Sequence, residues 1–385
     1  VAHPRMQRGI PVSLIRGGSS KAVFIQSKDL PEPGPLRDKV ILRLFGSPDP
    51  RQIDGLGGAD VLTSKLAIVG PPTTDGADVD YTFGQVSFAT EHVDYKGNCG
   101  NISSAVGPFA IDEGIIPFDG NALTQLVRIH NTNTGAILKA VVCIGEHGAE
   151  VEGIVAIGGV PGFGSRVDLD FSATQGSVTG ALLPTGHLVD TLEVHGTGSE
   201  APERLEASLI DAGQATVFLR AADLGLAGSS SDIAACIRQS DTMLRRLERI
   251  RGAAAVAMGI VEKPQDAESL SPYTPFVVIV AAKPPPQSES DLNATCVFMQ
   301  KLHQAYPVTG SVATAAAALL EGTLVHAATR PSPGPIKIAH PSGVMEVDGI
   351  VEEGKLKKAA IVRTARRLMA GQAFIPWSVW PKAGL

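Results

Sequence analysis

Short apolar segments separated by polar turns dominate the hydrophobic pattern of the chain. Residues 21–31, KAVFIQSKDLP, and residues 214–225, QATVFLRAADLG, each read as a strand followed by a turn. Apolar runs of this length, bounded by Gly, Pro, Asn and Asp, are typical of buried strands. The segments SSAVGPFAI and VATAAAALL are small or apolar on nearly every side, which predicts helices that are buried all round. The pattern therefore predicts sheets wrapped around central apolar helices.

The same kinds of segment occur twice in the same order. The matching stretches are 23–30 with 217–224, 100–114 with 308–322, and 127–135 with 336–343. Chance similarity between Ala- and Gly-rich segments is the alternative, but three matches in one order favour a duplicated domain. A length of 385 residues also favours two domains. We expect an N-terminal half over 1–190, which carries Lys65 and Cys99, and a C-terminal half over 191–385. This division allows the ends of the chain to cross back from one half to the other.

Composition and charge exclude several classes of function. The chain is 44% hydrophobic and 19% charged, with a net charge of −6, which is ordinary for a globular protein in water. It has no basic stripe, so nucleic acid is not an expected partner. Apolar runs such as Val277–Ala282 are far shorter than a membrane span requires.

The four cysteines form no CxxC pair, and their spacing matches neither a zinc site nor a disulfide framework. No HExxH, GxSxG or GxGxxG motif is present. We therefore expect neither a metal nor a cofactor. A reducing, cytoplasmic setting fits this cysteine usage, and the first residues show no apolar leader segment.

Residues 97–101, GNCGN, precede one of the predicted apolar helices. Gly100 permits a tight turn, and Asn98 or Asn101 can cap the helix. A thiolate at Cys99 would be stabilised by the unpaired N–H groups of the helix N-terminus, and the same groups can bind a carboxylate. The alternative is a small buried cysteine in a Gly/Asn turn.

Residues 16–20, RGGSS, form a turn ahead of a strand. Backbone N–H groups at Gly18, the hydroxyls of Ser19 and Ser20, and the guanidinium of Arg16 suit a carboxylate ligand. The alternative is an ordinary entry into the strand.

Lys65 follows Ser64 inside the apolar stretch VLTSKLAIV. A lysine in a desolvated pocket holds its proton less tightly and can act as a general base. The alternative is a strand whose polar face carries Ser64 or Lys65 into solvent.

Two turns of the second half are further candidates for substrate contacts. PVTGSV, at 307–312, is the counterpart of the Cys99 turn and offers Thr309, Gly310 and Ser311 but no cysteine. HPSG, at 340–343, offers His340 and Ser342.

The segments RGGSSK, TSKLAIV, DYKGNCGNISSAVGPFAIDEG and HPSG, in this order over nearly the whole chain, resemble the PrpF family of unsaturated-tricarboxylate isomerases. The resemblance implies an α+β, diaminopimelate epimerase-like fold, in which two pseudo-symmetric domains each roll a sheet around a central hydrophobic helix, with the site between them. It also implies that Lys65 is a general base and that Cys99 is its partner. The epimerases with this fold use two cysteines, and the second is missing here. The first motif reads GGSSK where the family commonly has GGTSK.

The resemblance implies a cofactor-independent isomerase acting on a small tri- or dicarboxylate by allylic proton transfer. Aconitate Δ-isomerisation (cis-aconitate to trans-aconitate) and 2-methylaconitate cis-trans isomerisation are the expected reactions, and tautomerisation of 4-oxalomesaconate is an alternative within the family. An amino-acid epimerase or racemase and a non-catalytic tricarboxylate-binding accessory protein are alternatives from other classes. The residues leave a homodimer open.

Overall fold

A computed structural model describes residues 7–196, 201–330 and 332–381, which divide into two compact units. The first unit comprises residues 7–95, 101–168 and 363–381, and the second comprises 96–100 and 169–362. This division differs from the expected boundary at residue 190. It also groups Cys99 with the second unit, because Gly97 lies against the ring of Tyr273 and Gly100 lies against Val308. The last strand returns to the first unit because it pairs with the first strand of the chain.

The described chain contains nineteen strands and seven α-helices. The strands are β1 (Gln7–Gly17), β2 (Ser20–Gln26), β3 (Lys65–Gly70), β4 (Val79–Val86), β5 (Val93–Asp94), β6 (Thr124–Asn131), β7 (Ile137–Gly145), β8 (Gly148–Ala149), β9 (Val167–Asp170), β10 (Asp190–Val194), β11 (Glu203–Ala212), β12 (Gln214–Arg220), β13 (Phe276–Val280), β14 (Leu292–Phe298), β15 (Lys301–Leu302), β16 (Ile336–His340), β17 (Gly343–Glu352), β18 (Lys355–Arg363) and β19 (Ala365–Pro376). The helices are α1 (Pro35–Phe45), α2 (Gly100–Asp112), α3 (Ser230–Arg238), α4 (Asp241–Ala257), α5 (Ala267–Leu270), α6 (Val308–Leu319) and α7 (Leu324–Ala328).

Local sequence explains where several helices begin and end. Pro35 occupies the first turn of α1, and Gly46 closes that helix in the left-handed conformation, with φ of 75°. The side chain of Ser240 accepts a hydrogen bond from the Met243 amide and so caps α4. In α6, the run of alanines favours a helix with no polar face.

The two units share one strand topology. In the first unit β1 and β2 are antiparallel, β2 and β3 parallel, β3 and β4 antiparallel, β4 and β6 parallel, and β6 and β7 antiparallel, with β5 added antiparallel to β4. In the second unit β11, β12, β13, β14, β16 and β17 follow in the same order with the same directions, and β15 is added to β14. The predicted duplication is therefore confirmed at the level of topology.

Each unit buries one small-residue helix. In α6 every residue from Val308 to Ala318 is buried, and the helix packs against β11, β12 and β17. In α2 the ring of Phe109 lies 5.2 Å from that of Phe24, centroid to centroid, and Gly107 lies against Val142. The opposite sheet faces are covered by amphipathic helices, α1 in the first unit and α3 with α4 in the second. The predicted α+β class and the central hydrophobic helices are confirmed. Within the described residues, no helix combines the length and hydropathy needed to cross a membrane.

Candidate active site

The RGGSS turn joins β1 to β2 and is docked on the beginning of α2. Gly18 has φ of +50°, a conformation that glycine adopts at little cost. A methyl group added at Gly17 would lie only 2.5 Å from the carbonyl oxygen of Asn101. The Asn101 amide nitrogen Nδ2 donates a hydrogen bond of 3.2 Å to Ser19 Oγ, and the Ser19 amide donates one of 3.4 Å to Asn101 Oδ1. The two glycines therefore allow the contact that brings these polar groups together.

Arg16 holds this turn from the strand side. Its Nη1 atom donates to the carbonyl oxygens of Gly18 and Thr364, both at 2.9 Å, and to Thr364 Oγ1 at 3.1 Å. Burial lowers the pKa of the Arg16 guanidinium, and repulsion from Arg366 lowers it further. One terminal nitrogen of Arg16 thus stabilises the turn itself. A contact between Arg16 and a substrate carboxylate stays a prediction.

Ser20 offers a buried hydroxyl on the same sheet face as Lys65. Only 3% of Ser20 is exposed, and its Oγ has no hydrogen-bond partner among the described residues. Ala22 is the register partner of Lys65 across β2 and β3. Since side chains alternate along a strand, Ser20 and Ala22 lie on one face together with Lys65. The sheet therefore presents a hydroxyl with unused hydrogen-bonding capacity and an amine on one buried face.

Lys65 is the first residue of β3 and is 2% exposed. Its Nζ donates a hydrogen bond of 2.8 Å to Gln85 Oε1 and lies 5.1 Å from the centroid of the Phe83 ring. Ser64 is fully buried, and its hydroxyl donates to Gln52 Oε1. The alternative of a solvent-facing strand is wrong, because every residue of β3 is buried, on both faces of the sheet.

The GNCGN turn is part of the second unit up to Gly100. Cys99 is 6% exposed and Asn98 is 2% exposed. The hydroxyl of Tyr273 donates a hydrogen bond of 3.1 Å to the Asn98 carbonyl oxygen. A methyl group at Gly100 would lie 2.6 Å from Val308 Cγ1. The cysteine is therefore buried in a tight turn that packs on the first residue of α6.

The first turn of α6 contains the three residues expected from PVTGSV. Pro307 precedes the helix and provides no side-chain cap, so the first amides have no acceptor within the helix. Ser311 Oγ donates to the Val308 carbonyl oxygen at 2.8 Å, and Thr309 is 1% exposed. Backbone N–H groups at Thr309 and Gly310, rather than the Ser311 hydroxyl, are thus the stronger candidates for binding an anion.

The HPSG turn joins β16 to β17. His340 is 4% exposed, and its ring stacks on Tyr306 with centroids 6.0 Å apart. The Ser342 amide donates to His340 Nδ1 at 3.3 Å, so this ring nitrogen is an acceptor within the turn. Ser342 itself is exposed, and its hydroxyl donates to the Gln304 carbonyl oxygen. A substrate contact at His340 or Ser342 stays a prediction.

Sequence reasoning missed Gln85, Tyr273 and Arg363. Gln85 interrupts the apolar end of the segment VDYTFGQV, which was the available signal. Tyr273 was visible only as an aromatic residue in a Pro-rich stretch, since its contact with the Cys99 turn is long-range. Burial lowers the pKa of the Arg363 guanidinium to about 10.

Within residues 7–196, 201–330 and 332–381, no group of three or more His, Cys, Asp or Glu side chains could hold a metal ion.

Comparison with known proteins supports the resemblance over the full chain. The family model described as PrpF protein matches residues 7–376. A 3-methylitaconate isomerase of Eubacterium barkeri is 43% identical over 96% of this chain and 98% of its own. A 4-oxalomesaconate tautomerase of Pseudomonas putida is 37% identical over 97% of this chain and 98% of its own. A 2-methyl-aconitate isomerase of Shewanella oneidensis is 37% identical over 95% of this chain and 97% of its own.

Two solved structures place the fold. The crystal structure of a methylitaconate-delta-isomerase matches with a TM-score of 0.80 and 41% identity, over 98% of both chains. A hydroxyproline epimerase from Agrobacterium vitis matches with a TM-score of 0.55 and 13% identity, over 96% of this chain and 93% of that chain. The second likeness concerns the fold alone. Together they confirm the expected diaminopimelate epimerase-like architecture.

Proposed function

The chain belongs to the PrpF family and is an isomerase, and from this premise we propose that it moves the double bond of an unsaturated di- or tricarboxylate by allylic proton transfer. The first candidates are the substrates named for its relatives, 3-methylitaconate and 2-methylaconitate, together with cis-aconitate. These compounds share a double bond next to a carboxylate and an acidified carbon–hydrogen bond one carbon further on. 4-Oxalomesaconate, named for another relative, is the alternative substrate, because a tautomerisation also moves one proton between two positions of the same molecule.

The observation that carries this proposal is the buried amine of Lys65. A lysine is seldom fully buried without a function or a partner, because removing its charge from water is unfavourable. The equivalent position in the second unit, the first residue of β13, is Phe276. The second unit therefore has an apolar residue at the matching register position, and this difference supports a chemical role for the lysine. In its neutral form Lys65 can take the allylic proton as a general base.

Proton removal leaves a dienolate whose negative charge spreads onto a carboxylate. Hydrogen-bond donors aimed at that charge lower the barrier. Ser20 supports this role in the first unit, because its buried hydroxyl has no partner among the described residues.

The reaction is completed when a proton is returned at the far end of the allylic unit, so that no atom is gained or lost. We assign this step to the Cys99 thiol, with Lys65 itself as the other donor. The absence of a second cysteine in the counterpart turn, PVTGSV, supports a lysine–cysteine mechanism over the two-thiol chemistry of an epimerase.

The test is proton NMR of the purified protein with cis-aconitate, 2-methylaconitate, 3-methylitaconate and 4-oxalomesaconate in D₂O. We expect turnover of at least one compound, with solvent deuterium entering the product at an allylic carbon. Lys65→Ala should abolish both turnover and exchange, whereas Lys139→Ala, an exposed lysine of β7, should leave both unchanged. Wild-type rates in Lys65→Ala would contradict the assignment of the base.

Cys99→Ser tests the second assignment. Turnover should fall by at least about tenfold, since a hydroxyl is a much weaker acid than a thiol. Cys296→Ser makes the same change at another buried cysteine, in β14, and controls for the effect of the substitution on folding. Equal rates in the two variants would leave Cys99 as a structural residue of its turn. Proline, hydroxyproline and diaminopimelate belong in the same assay, because their epimerisation would point to an amino-acid epimerase instead.

A further inference from the structure

Resting on the role proposed for Lys65, we propose that Gln85 is a positioning residue, which holds the Lys65 amine in place while keeping the base next to a neutral group. Gln85 is 2% exposed and is the register partner of Lys65 across β3 and β4. Its Oε1 accepts the 2.8 Å hydrogen bond from Lys65 Nζ. The contact therefore joins two buried side chains on adjacent strands.

The orientation of the Gln85 amide is set by a second contact. Its Nε2 donates a hydrogen bond of 3.0 Å to the carbonyl oxygen of Ser64, the residue before the lysine. This leaves the oxygen to face Lys65 Nζ, since flipping the amide would place Gln85 Oε1 against the carbonyl oxygen of Ser64. With one N–H bound to Oε1, the nitrogen lone pair of the neutral amine has a restricted set of directions. A general base gains rate from such fixed geometry.

The duplicated unit shows that the fold does not require this polar pair. The β13–β14 register runs from Val277 with Val297, so Phe276 and Phe298 lie one position beyond it, where Lys65 and Gln85 lie in the first unit. The two phenylalanine rings pack with centroids 5.3 Å apart. Two aromatic side chains thus fill the space that Lys65 and Gln85 fill in the first unit. The second copy therefore has an apolar pair where the first has a polar one, and this difference supports a functional role for Gln85.

The acceptor that Gln85 offers to Lys65 is a neutral amide rather than a carboxylate. On β2 the facing residue is Ala22, and on β4 the neighbours are Gln85 and Phe83. α2 carries no charged residue before Asp112. The charged group that follows is Asp94, which is buried and pairs with Gln85 across β4 and β5.

The experiment measures the pH dependence of kcat/KM for the wild type, Gln85→Glu and Gln85→Met. The substrate is whichever of the four carboxylates named in the NMR test the protein turns over. A carboxylate beside Lys65 stabilises the ammonium form, so Gln85→Glu should move the ascending limb to higher pH by about 1–2 units. Gln85→Met keeps the size but loses the acceptor, and should lower kcat by about 10- to 100-fold with little change in KM. Gln372→Glu makes the same chemical change at an exposed position of β19 and should behave as wild type.

A second measurement reads the lysine without catalysis. NMR titration of protein labelled at lysine Cε, with Lys65 assigned from Lys65→Arg, should show the Lys65 midpoint rising in Gln85→Glu by the same amount as the kinetic limb. If a folded Gln85→Glu variant has both the pH profile of kcat/KM and the Lys65 titration midpoint of the wild type, the role proposed for Gln85 is overturned and the role proposed for Lys65 is not. Turnover by Lys65→Ala would instead overturn the proposed base, and this inference with it.

Discussion

Substitution of Gly17 by alanine tests whether the docked RGGSS turn matters for activity. An added Cβ would lie 2.5 Å from the carbonyl oxygen of Asn101, 3.1 Å from Ile102 Cα and 3.2 Å from Ala105 Cβ. Two of these three neighbours are backbone atoms of α2, so no flexible side chain can give way. Since ordinary contacts begin near 3.4 Å, the turn must move away from the helix by about 1 Å, which is a typical consequence of overpacking.

Overpacking of this kind costs about 1–3 kcal/mol of unfolding free energy. For a unit of this size, each kcal/mol lowers Tm by about 2–4 °C. The same displacement lengthens the hydrogen bonds between Ser19 and Asn101, now 3.2 and 3.4 Å. We therefore expect Gly17→Ala to lower Tm by about 4–8 °C, from the middle of that range, and to lower kcat/KM by up to about 100-fold.

The assay combines thermal unfolding with kinetics of the same preparation. Gly120→Ala is the matched control in the first unit, because the nearest heavy atom to its added Cβ is 3.7 Å away and its φ is not positive. It should change the unfolding free energy by less than about 0.5 kcal/mol. A Gly17→Ala protein with the Tm of the control would refute the packing argument. A lowered Tm with unchanged kcat/KM would refute a role of the turn in substrate binding.

Two further substitutions test contacts in the second unit. Tyr273→Phe removes the hydrogen bond to the Asn98 carbonyl oxygen. It should lower the free energy of unfolding by about 1 kcal/mol and lower turnover, because the Cys99 turn is held less firmly. An unchanged Tm in thermal unfolding would show that the bond contributes nothing to stability. Burial raises the pKa of Asp211 above its ordinary 3.8, although hydrogen bonds from Thr179 oppose the shift. The folded protein then binds this proton more tightly than the unfolded chain, so the stabilisation is present below pH 3.8 and is lost as the pH rises through the folded pKa. Tm of the wild type relative to Asp211→Asn should therefore fall as the pH rises above 3.8, and a constant difference would contradict the raised pKa.

The sequence by itself determined the duplicated plan. Matching strands and turns at 23–30 and 217–224, and apolar helices at 100–114 and 308–322, reappear as β2 with β12 and α2 with α6. These elements were predictable because alternation, small residues and turn residues act over a few neighbouring positions. The family motifs around Lys65 and Cys99 likewise indicate a carboxylate isomerase from the order of residues alone.

Only the tertiary structure decided whether Lys65 is buried and what surrounds it. A lysine in an apolar strand is compatible with either a buried or a solvent-facing position, and the tertiary structure buries every residue of β3. The antiparallel pairing of β3 with β4 brought Gln85 to Lys65 across twenty residues of chain. The tertiary structure also assigned residues 96–100 to the second unit, where Gly97 and Gly100 find their packing partners. Such contacts depend on which strands pair and in which register, and that is decided by packing across the whole unit rather than by local sequence.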